Sequence, residues 1–230
     1  MKIFRNEWKF EYETAEIPAL ISRLSAILER DSNGTNGTYH VSSLYFDDYY
    51  DTCARDTEAG LSKRFKYRIR YYDKAGSLHL ERKEKERGMC HKISCPLTLD
   101  EYNAILNYDT DTLLWKTNKQ LLKRFVKDMI TKQFKPKAII DYDRIAFLYQ
   151  PLNIRITVDQ NISASNEFDK FLKGNYIHYP LQKINLNILE IKYDYLLPGY
   201  IKNLASNPNM LRQTYSKYYM GRLVLKEVGI

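Results

Sequence analysis

Alternating apolar and polar positions recur along most of the chain and predict strands as its main elements. Near the N-terminus, Trp8 and Phe10 oppose Glu7 and Lys9. Because successive side chains of a strand point to opposite faces, this pattern predicts a half-buried strand. By the same reasoning, eight strands are predicted, at about residues 4–13, 39–48, 62–72, 77–87, 89–95, 137–148, 153–160 and 185–194.

Other segments carry apolar residues at helical spacing. In the first of them Pro18 falls in the first turn, and the apolar stripe consists of Leu20, Ile21, Leu24, Ile27 and Leu28. Thr98 and Glu101 form a capping box that predicts a second, short helix. The predicted helices span residues 16–30, about 98–106, a segment that follows Asn118, and about 208–227.

The order of these elements predicts the fold class. Strands follow strands through hairpins and do not alternate with helices, which is typical of an antiparallel α+β protein. Eight strands are enough to close a barrel with a narrow interior. We therefore expect an antiparallel eight-stranded β-barrel with helices packed outside. No linker or internal repeat divides the sequence, so residues 1–230 are predicted to form a single domain.

Composition narrows the class of protein. Of the 230 residues, 44% are hydrophobic and 28% are charged, which excludes a disordered tail, a collagen-like fibre and a disulfide-stapled miniprotein. No stretch approaches the roughly 18–20 apolar residues of a membrane helix, and the N-terminus does not resemble a signal peptide. The three cysteines lack a framework spacing and are expected to be reduced. We therefore expect a cytoplasmic protein without a membrane segment.

Nearly the whole charge imbalance of the chain lies in one segment. The net charge is +8, and residues 63–92 contain 11 Lys and Arg against 4 Asp and Glu. The rest of the chain is almost neutral, with 25 bases and 24 acids. Such a concentrated positive field indicates an anionic partner, which is a nucleic acid, a phosphate-rich small molecule or an anionic membrane surface.

The basic residues of this segment keep to one face of a predicted hairpin. From Arg64 to Tyr71 every even position is basic and every odd one is aromatic or aliphatic. A turn at residues 73–76 leads into a second alternating run from Leu78 to Lys85. One face of the hairpin therefore carries a basic set that includes Arg64, Lys66, Arg68, Arg70, Lys83 and Lys85.

Two interpretations of these charged faces stay open at this point. A solvated strand face alternates in the same way, and for any single strand that is the simpler interpretation. Taken together, the faces favour a polar, basic barrel interior, because like charges stand two apart and arginine, a bidentate phosphate ligand, predominates. Glu7, Glu81 and Glu190 each stand two residues from a base and so share a strand face with it. Carboxylates beside phosphate-binding cations suit Mg²⁺ or Mn²⁺.

Common nucleotide and hydrolase motifs are missing from the sequence. It has no glycine-rich phosphate loop, no dinucleotide fingerprint, no nucleophile elbow and no His-Glu-x-x-His zinc motif. A bound phosphate would therefore be held by side chains and not by a glycine-rich helix entrance.

Six short motifs occur in a characteristic order along the chain. They are Glu7-Trp8-Lys9, residues 43–48, Lys66 to Arg70, Glu81-Arg82-Lys83, Glu190 to Tyr193 with Leu197-Pro198, and Arg212 with Ser216-Lys217-Tyr218. In this order they resemble the VTC domain, the polyphosphate polymerase branch of the triphosphate tunnel metalloenzymes. The resemblance covers about residues 3–225. It implies an eight-stranded antiparallel tunnel, lined by Lys, Arg and Glu, that binds triphosphates through a divalent metal.

The resemblance also implies roles for individual residues. The expected phosphate ligands are Lys9, Arg68, Arg70, Lys83, Lys92, Arg144, Arg155 and Lys217. Further contacts to the bound triphosphate are expected from Arg64, Lys66, Lys85 and Ser216. Glu190 is the expected ligand of Mn²⁺ or Mg²⁺, with Glu7 and Glu81 beside it. Strand parity independently supports Lys9, Arg68, Arg70, Lys83 and Arg155, whereas Arg144 and Lys217 depend on the resemblance.

The activity implied is transfer of the γ-phosphoryl group of ATP to a growing inorganic polyphosphate chain, with pyrophosphate as a primer. Such a transfer needs positioning and charge neutralisation more than a general base, because a terminal phosphate oxygen is already ionised at neutral pH. Nucleic acid is not an expected partner, and a separate membrane protein partner stays open. The alternatives are a metal-dependent tripolyphosphatase or nucleoside triphosphatase of the same fold, and a non-catalytic module that binds polyphosphate or nucleic acid.

Overall fold

One antiparallel sheet forms the framework of the molecule. A computed structural model describes residues 4–72, 76–181, 186–206 and 212–229. In these residues the strands are β1 (Asn6–Glu13), β2 (Glu29–Arg30), β3 (Thr38–Asp47), β4 (Lys63–Tyr72), β5 (Ser77–Glu86), β6 (Met89–Leu97), β7 (Lys135–Tyr149), β8 (Ile154–Ser165), β9 (Tyr179–Pro180) and β10 (Leu186–Tyr193). The two short strands, β2 and β9, were not predicted; the eight others correspond to the eight predicted strands.

The strand order brings the two ends of the sheet together. It runs β1-β10-β8-β7-β3-β4-β5-β6, with β2 paired to β7 and β9 paired to β8. Between the edge strands β1 and β6, the described residues form one isolated bridge, with Arg5 N to Cys90 O at 2.8 Å and Cys90 N to Arg5 O at 2.9 Å.

The predicted barrel closure therefore needs a correction, since no continuous ladder of hydrogen bonds closes the sheet in the described residues. The physical reason lies on the free edge of β1. There Phe10 bridges to Arg212, and Gln213 N donates to Lys9 O at 2.9 Å. In the antiparallel register set by Arg5 and Cys90, β1 runs past Met89, the first residue of β6, so its free edge at Lys9 and Phe10 pairs with this other segment of the chain.

Seven α-helices accompany the sheet in the described residues. They are α1 (Ile17–Ser25), α2 (Thr52–Glu58), α3 (Leu99–Leu106), α4 (Thr110–Lys116), α5 (Gln120–Lys132), α6 (Gly199–Leu204) and α7 (Lys217–Glu227). Helices α2, α4 and α6 were not predicted, because elements of six or seven residues show too little periodicity to be distinguished. None of the helices in the described ranges has the length and apolar character needed to cross a membrane.

Two predicted helices are shorter than expected. The first ends at Ser25 instead of residue 30, because Glu29 and Arg30 pair with β7 as a strand. The last begins at Lys217, where Ser216 caps it by accepting a hydrogen bond from Tyr219 N at 3.2 Å. Residues 208–211 of that prediction lie outside the described residues, as do residues 73–75 of the predicted hairpin turn.

The helices cover the sheet on two sides. Helices α1 and α6 pack with β1, β8 and β10 in one apolar core, and α3, α5 and α7 contribute to a second core with β3, β4 and β7. Helix α7 differs from the expectation that helices pack outside, since it meets the face of β7 that carries Tyr142 and Arg144. It comes so close there that a Cβ on Gly221 would lie 2.3 Å from Ile140 Cδ1.

Candidate functional site

Two adjoining cavities follow the strands on the charged face of the sheet. They share a wall of seven residues, Glu7, Arg68, Arg70, Lys83, Cys90, Arg144 and Lys192. Along β4, Arg64 and Lys66 line only the first cavity and Tyr72 lines only the second. We call the first the α7-side cavity, because Ser216 and Lys217 at the start of α7 line it, and the second the Arg155-side cavity.

The predicted site residues converge on these cavities. All of them except Glu81 line one or both. Those of the α7-side cavity are Glu7, Lys9, Arg64, Lys66, Arg68, Arg70, Lys83, Lys85, Arg144, Glu190, Ser216 and Lys217. Lys92 and Arg155 line only the Arg155-side cavity. Strands far apart in sequence thus bring their basic faces to two adjoining cavities, as the parity of the charged residues predicts.

Several cations of the α7-side cavity have neutral partners. Lys66 Nζ donates to Ser216 Oγ at 2.7 Å, and Lys9 Nζ donates to the carbonyl oxygen of Tyr215 at 2.9 Å. Burial, together with the positive charges of Lys9 and Lys83, lowers the pKa of Lys66 to about 7. An anion placed beside Lys66 would favour its charged form.

Arg70 is a second cation without a carboxylate partner among the described residues. It is 6% exposed, donates from Nη2 to the Tyr142 hydroxyl at 2.9 Å, and lies 3.4 Å from Ser43 Oγ through Nε. It also lines both cavities. Arg70 interacts with the charge of Glu81 without forming an ion pair with it, and it lines both cavities, so it is well placed to attract an anion.

Glu81 lies outside the cavity linings and neutralises two of the predicted phosphate ligands. Arg68 contacts Glu81 Oε2 through Nη2 at 2.6 Å and Nε at 2.7 Å, and Lys92 Nζ contacts Oε1 at 2.7 Å. Arg68 also donates to the Tyr45 hydroxyl at 2.9 Å. Burial opposes ionisation of Glu81, but Arg68, Arg70 and Lys92 outweigh it and hold its pKa well below the ordinary value. Glu81 is therefore an ion-pair partner in this structure.

Two further carboxylates fix the remaining arginines. Asp159 accepts a bidentate pair of bonds from Arg144, at 2.7 and 2.8 Å, and lies 2.6 Å from Lys217 Nζ. Arg155 Nη2 contacts Asp31 Oδ2 at 2.5 Å and donates to the Tyr39 hydroxyl at 2.7 Å. The bidentate pair holds Arg144 in one orientation, since a forked guanidinium matches a carboxylate in a single plane, whereas Arg155 contacts Asp31 through Nη2 alone.

Glu7 and Glu190 are the predicted metal ligands that the cavities bring together. Lys83 Nζ lies 2.6 Å from Glu7 Oε1, and Lys192 Nζ lies 2.5 Å from Glu190 Oε1. Burial and the charge of Glu190 favour the neutral form of Glu7, but Lys83, Lys9 and Lys192 outweigh them and lower the pKa of Glu7 to about 2. The two carboxylates are thus ionised at neutral pH.

The donor set fits a divalent cation that also contacts phosphate. Glu190 Oε1 is buried and accepts no well-aligned hydrogen bond from a described residue, although Lys192 lies beside it. No group of three or more His, Cys, Asp or Glu in the described ranges could hold a metal ion by itself. Mg²⁺ commonly binds through one or two carboxylates plus substrate phosphates and water, and Glu7 with Glu190 meets that requirement.

Lys192, Asp159 and Tyr142 are among the residues of the site that were not predicted. Lys192 lines both cavities and shares the parity of Glu190, a signal that could have identified it. Asp159 likewise shares the parity of Arg155 on β8. Tyr142, whose ring lies 5.1 Å from the Arg144 guanidinium and 4.9 Å from Lys217 Nζ, could not have been found in this way because β7 alternates imperfectly.

Comparisons with known proteins agree with this geometry. The model of the VTC domain family matches residues 4–226. Two solved structures of proposed adenylate cyclases are similar in fold, each 13% identical to this chain with a TM-score of 0.50. The one from Bacillus halodurans aligns over 99% of this chain and 88% of its own, and the one from Vibrio parahaemolyticus over 96% and 98%. A search of curated proteins found no match.

Proposed function

The chain belongs to the VTC family of the triphosphate tunnel metalloenzyme fold, and we propose that it is a polyphosphate polymerase. In this proposal residues 1–230 form one tunnel domain, and ATP donates its γ-phosphoryl group to a polyphosphate chain in the two joined cavities. Pyrophosphate serves as a primer, and a partnership with a separate membrane protein stays open.

The observation that carries the proposal is that two adjoining basic cavities share seven lining residues. A triphosphate and the end of a growing chain must meet in line, so a polymerase needs a basic space with room on both sides of the reacting phosphate. The cations of the shared wall, Arg68, Arg70, Lys83, Arg144 and Lys192, stand where the two spaces join. A site that only bound a single triphosphate would need one cavity.

The side chains would act by positioning and by charge. Arg70 would bind the transferring phosphoryl group, since its charge has no carboxylate partner among the described residues. Lys9, Lys66 and Ser216 would orient the triphosphate on the α7 side, and Lys92 and Arg155 would orient the acceptor. Glu7 and Glu190 would hold Mn²⁺ or Mg²⁺, which would supply charge neutralisation between phosphate oxygens. No residue is asked to remove a proton.

The test is a product analysis. Purified protein is incubated with ATP and Mn²⁺ or Mg²⁺, with and without pyrophosphate, and the products are separated on a polyacrylamide gel. A ladder of chains that lengthens with time, together with ADP, is the expected result. Arg70→Gln should abolish the ladder, and Lys127→Gln, at an exposed position of α5, should leave it intact.

The other outcomes point to the alternatives. Orthophosphate without chains would replace the polymerase by a tripolyphosphatase or nucleoside triphosphatase of the same fold. Tripolyphosphate binding without turnover under either metal would identify a binding module. A protein that binds nucleic acid but not tripolyphosphate would overturn the proposal altogether.

A further inference from the structure

Asp159 is a buried carboxylate to which the proposed reaction gives no role. It lies on β8 with 0% exposure, and β7 and α7 each direct a cation to it. Its Oδ1 accepts from Arg144 Nε at 2.7 Å, and its Oδ2 accepts from Arg144 Nη2 at 2.8 Å. Lys217 Nζ lies 2.6 Å from the same Oδ2. Three elements of the fold therefore meet at this one side chain.

The two cations line the α7-side cavity, whereas Asp159 lies behind them. Arg144 uses two of its five N–H donors on Asp159, and Lys217 uses one of three, so both keep donors for another acceptor. The Tyr142 ring lies 5.1 Å from the Arg144 guanidinium and 4.9 Å from Lys217 Nζ. The arrangement leaves each cation little freedom to move relative to the other.

Stability alone is a weak explanation for such a group. A buried ion triple gains little net free energy, because desolvation of the charges offsets their attraction. Burial opposes ionisation of Asp159, but Arg144 and Lys217 outweigh it and lower its pKa to about 2, so the carboxylate stays charged at neutral pH. What the triple does fix is the direction of the two cations.

We infer that Asp159 is a positioning residue, which holds Arg144 and Lys217 together as a paired phosphate subsite without touching the phosphate. The inference rests on the proposed function, since it takes both cations as phosphate ligands. It predicts the direction in which the affinity for an anion changes when the charge of Asp159 is removed. A carboxylate that acted only as a counter-charge would weaken anion binding, so its neutralisation would tighten binding. A positioning carboxylate strengthens binding, because preorganised donors lose less freedom on contact.

The first experiment measures tripolyphosphate binding to Asp159→Asn by titration calorimetry at fixed pH and salt, with folding checked by circular dichroism. Positioning predicts affinity weaker by about tenfold, the equivalent of about 1.4 kcal/mol. Unchanged or tighter binding by the folded variant would overturn the inference.

A second measurement asks whether Asp159 acts through its partners. Arg144→Gln should weaken tripolyphosphate binding by about tenfold in the wild-type protein but by less than about threefold in Asp159→Asn, where Arg144 is no longer held. Additive losses would contradict positioning. If Asp159→Asn does not fold, the Asp159→Asn/Arg144→Gln pair removes both charges together. In that double variant, adding Lys217→Met should weaken tripolyphosphate binding much less than Lys217→Met does in the wild-type protein. An equal loss of affinity in both would overturn the inference.

The controls separate this inference from the proposed function. Wild-type protein that does not bind tripolyphosphate would refute the proposed function and with it the premise. Wild-type binding that Asp159→Asn leaves unweakened would refute the positioning role alone. Lys127→Gln supplies the baseline for loss of a lysine or arginine charge outside the cavities.

Discussion

The cations that line only the α7-side cavity and those that line only the Arg155-side cavity differ in their ion-pair partners. On the α7 side, Lys66 and Lys85 form no ion pair with a described residue, and Lys9 is 3.9 Å from Glu190. Lys217, which is paired with Asp159 at 2.6 Å, is an exception on this side. On the Arg155 side, Lys92 contacts Glu81 at 2.7 Å and Arg155 contacts Asp31 at 2.5 Å. Lys66, Lys85 and Lys9 therefore lack a close counter-charge, whereas Lys92 and Arg155 are each held by a carboxylate.

The difference separates attraction from orientation. An unpaired cation in a partly buried space has no close counter-charge, so an anion is attracted by whatever charge the cation carries, with little screening by water. A cation in a buried pair is oriented by its carboxylate but loses much of its long-range field. The α7 side is therefore expected to supply most of the affinity for phosphate, and the ion-paired cations to hold it in a set direction. The predictions below test this division.

The largest effect is expected from breaking an ion-paired group. Glu81 is 2% exposed, and Glu81→Gln leaves Arg68 and Lys92 without their counter-charge. Breaking a buried pair by removing one partner is strongly destabilising, so we expect a loss of about 3 kcal/mol in the free energy of unfolding. Urea unfolding followed by circular dichroism measures it.

The matched control is Glu227→Gln, an exposed glutamate at the end of α7. It should change the free energy of unfolding by less than about 0.5 kcal/mol. Equal effects of the two variants would show that Glu81 does not support the paired cations.

A sharper test compares two arginines of the space. Among the described residues Arg70 has only neutral hydrogen-bond partners, whereas Arg155 has Asp31. Loss of a charged hydrogen-bond donor commonly removes about 1.5–3 kcal/mol. Arg70→Gln should therefore weaken tripolyphosphate binding by about 10- to 100-fold, and Arg155→Gln by clearly less. Titration calorimetry at one salt concentration measures both affinities. A larger loss of affinity in Arg155→Gln than in Arg70→Gln would contradict the division between attracting and orienting cations.

The pKa of Lys66 predicts a pH dependence on the α7 side. Burial and the neighbouring Lys9 and Lys83 lower this pKa to about 7, so Lys66 is charged below pH 7 and loses its charge as the pH rises. An anion prefers the charged form, and the affinity for sulfate, which keeps its own charge over this range, should fall by up to about tenfold between pH 6 and pH 8.

The control for this prediction is Lys66→Arg. Arginine stays charged throughout, so the fall in sulfate affinity with pH should largely disappear. The same fall in Lys66→Arg as in the wild-type protein would assign it to another group.

The smallest effect is expected at Lys85, a half-buried side chain that lines the α7-side cavity and forms no ion pair with a described residue. Lys85→Gln should weaken tripolyphosphate binding by about threefold at low salt and much less at high salt, because salt screens the part of its charge that stays open to solvent. Lys127→Gln is the control, and a loss independent of salt would show that Lys85 binds the anion directly.

Much of the sheet could be predicted from the sequence. The parity of Arg64, Lys66, Arg68 and Arg70 identified the face of β4 that lines the cavities, and the eight long strands lie close to their predicted positions. Parity works because a strand has a strict two-residue period that needs no tertiary context. The VTC family, identified from six motifs, is confirmed.

The short and irregular parts could not be predicted. Helix α2 begins after Asp51, which has a left-handed backbone conformation, and Asp47 accepts the backbone bonds of Cys53 and Ala54 at 2.8 and 3.0 Å. Seven residues give no periodic signal strong enough to predict such a helix. The end of the first helix at Ser25 was equally hidden, since only β7 provides the edge that converts Glu29 and Arg30 to a strand.

The sequence by itself determined which side chains of the regularly alternating strands share a charged face, because alternation along a strand is local. Only the tertiary structure decided which of those charges are paired. Asp31 lies 124 residues from Arg155, and Lys217 is far along the chain from Asp159. An ion pair depends on the distance between atoms from different elements, and no pattern within one strand contains that distance.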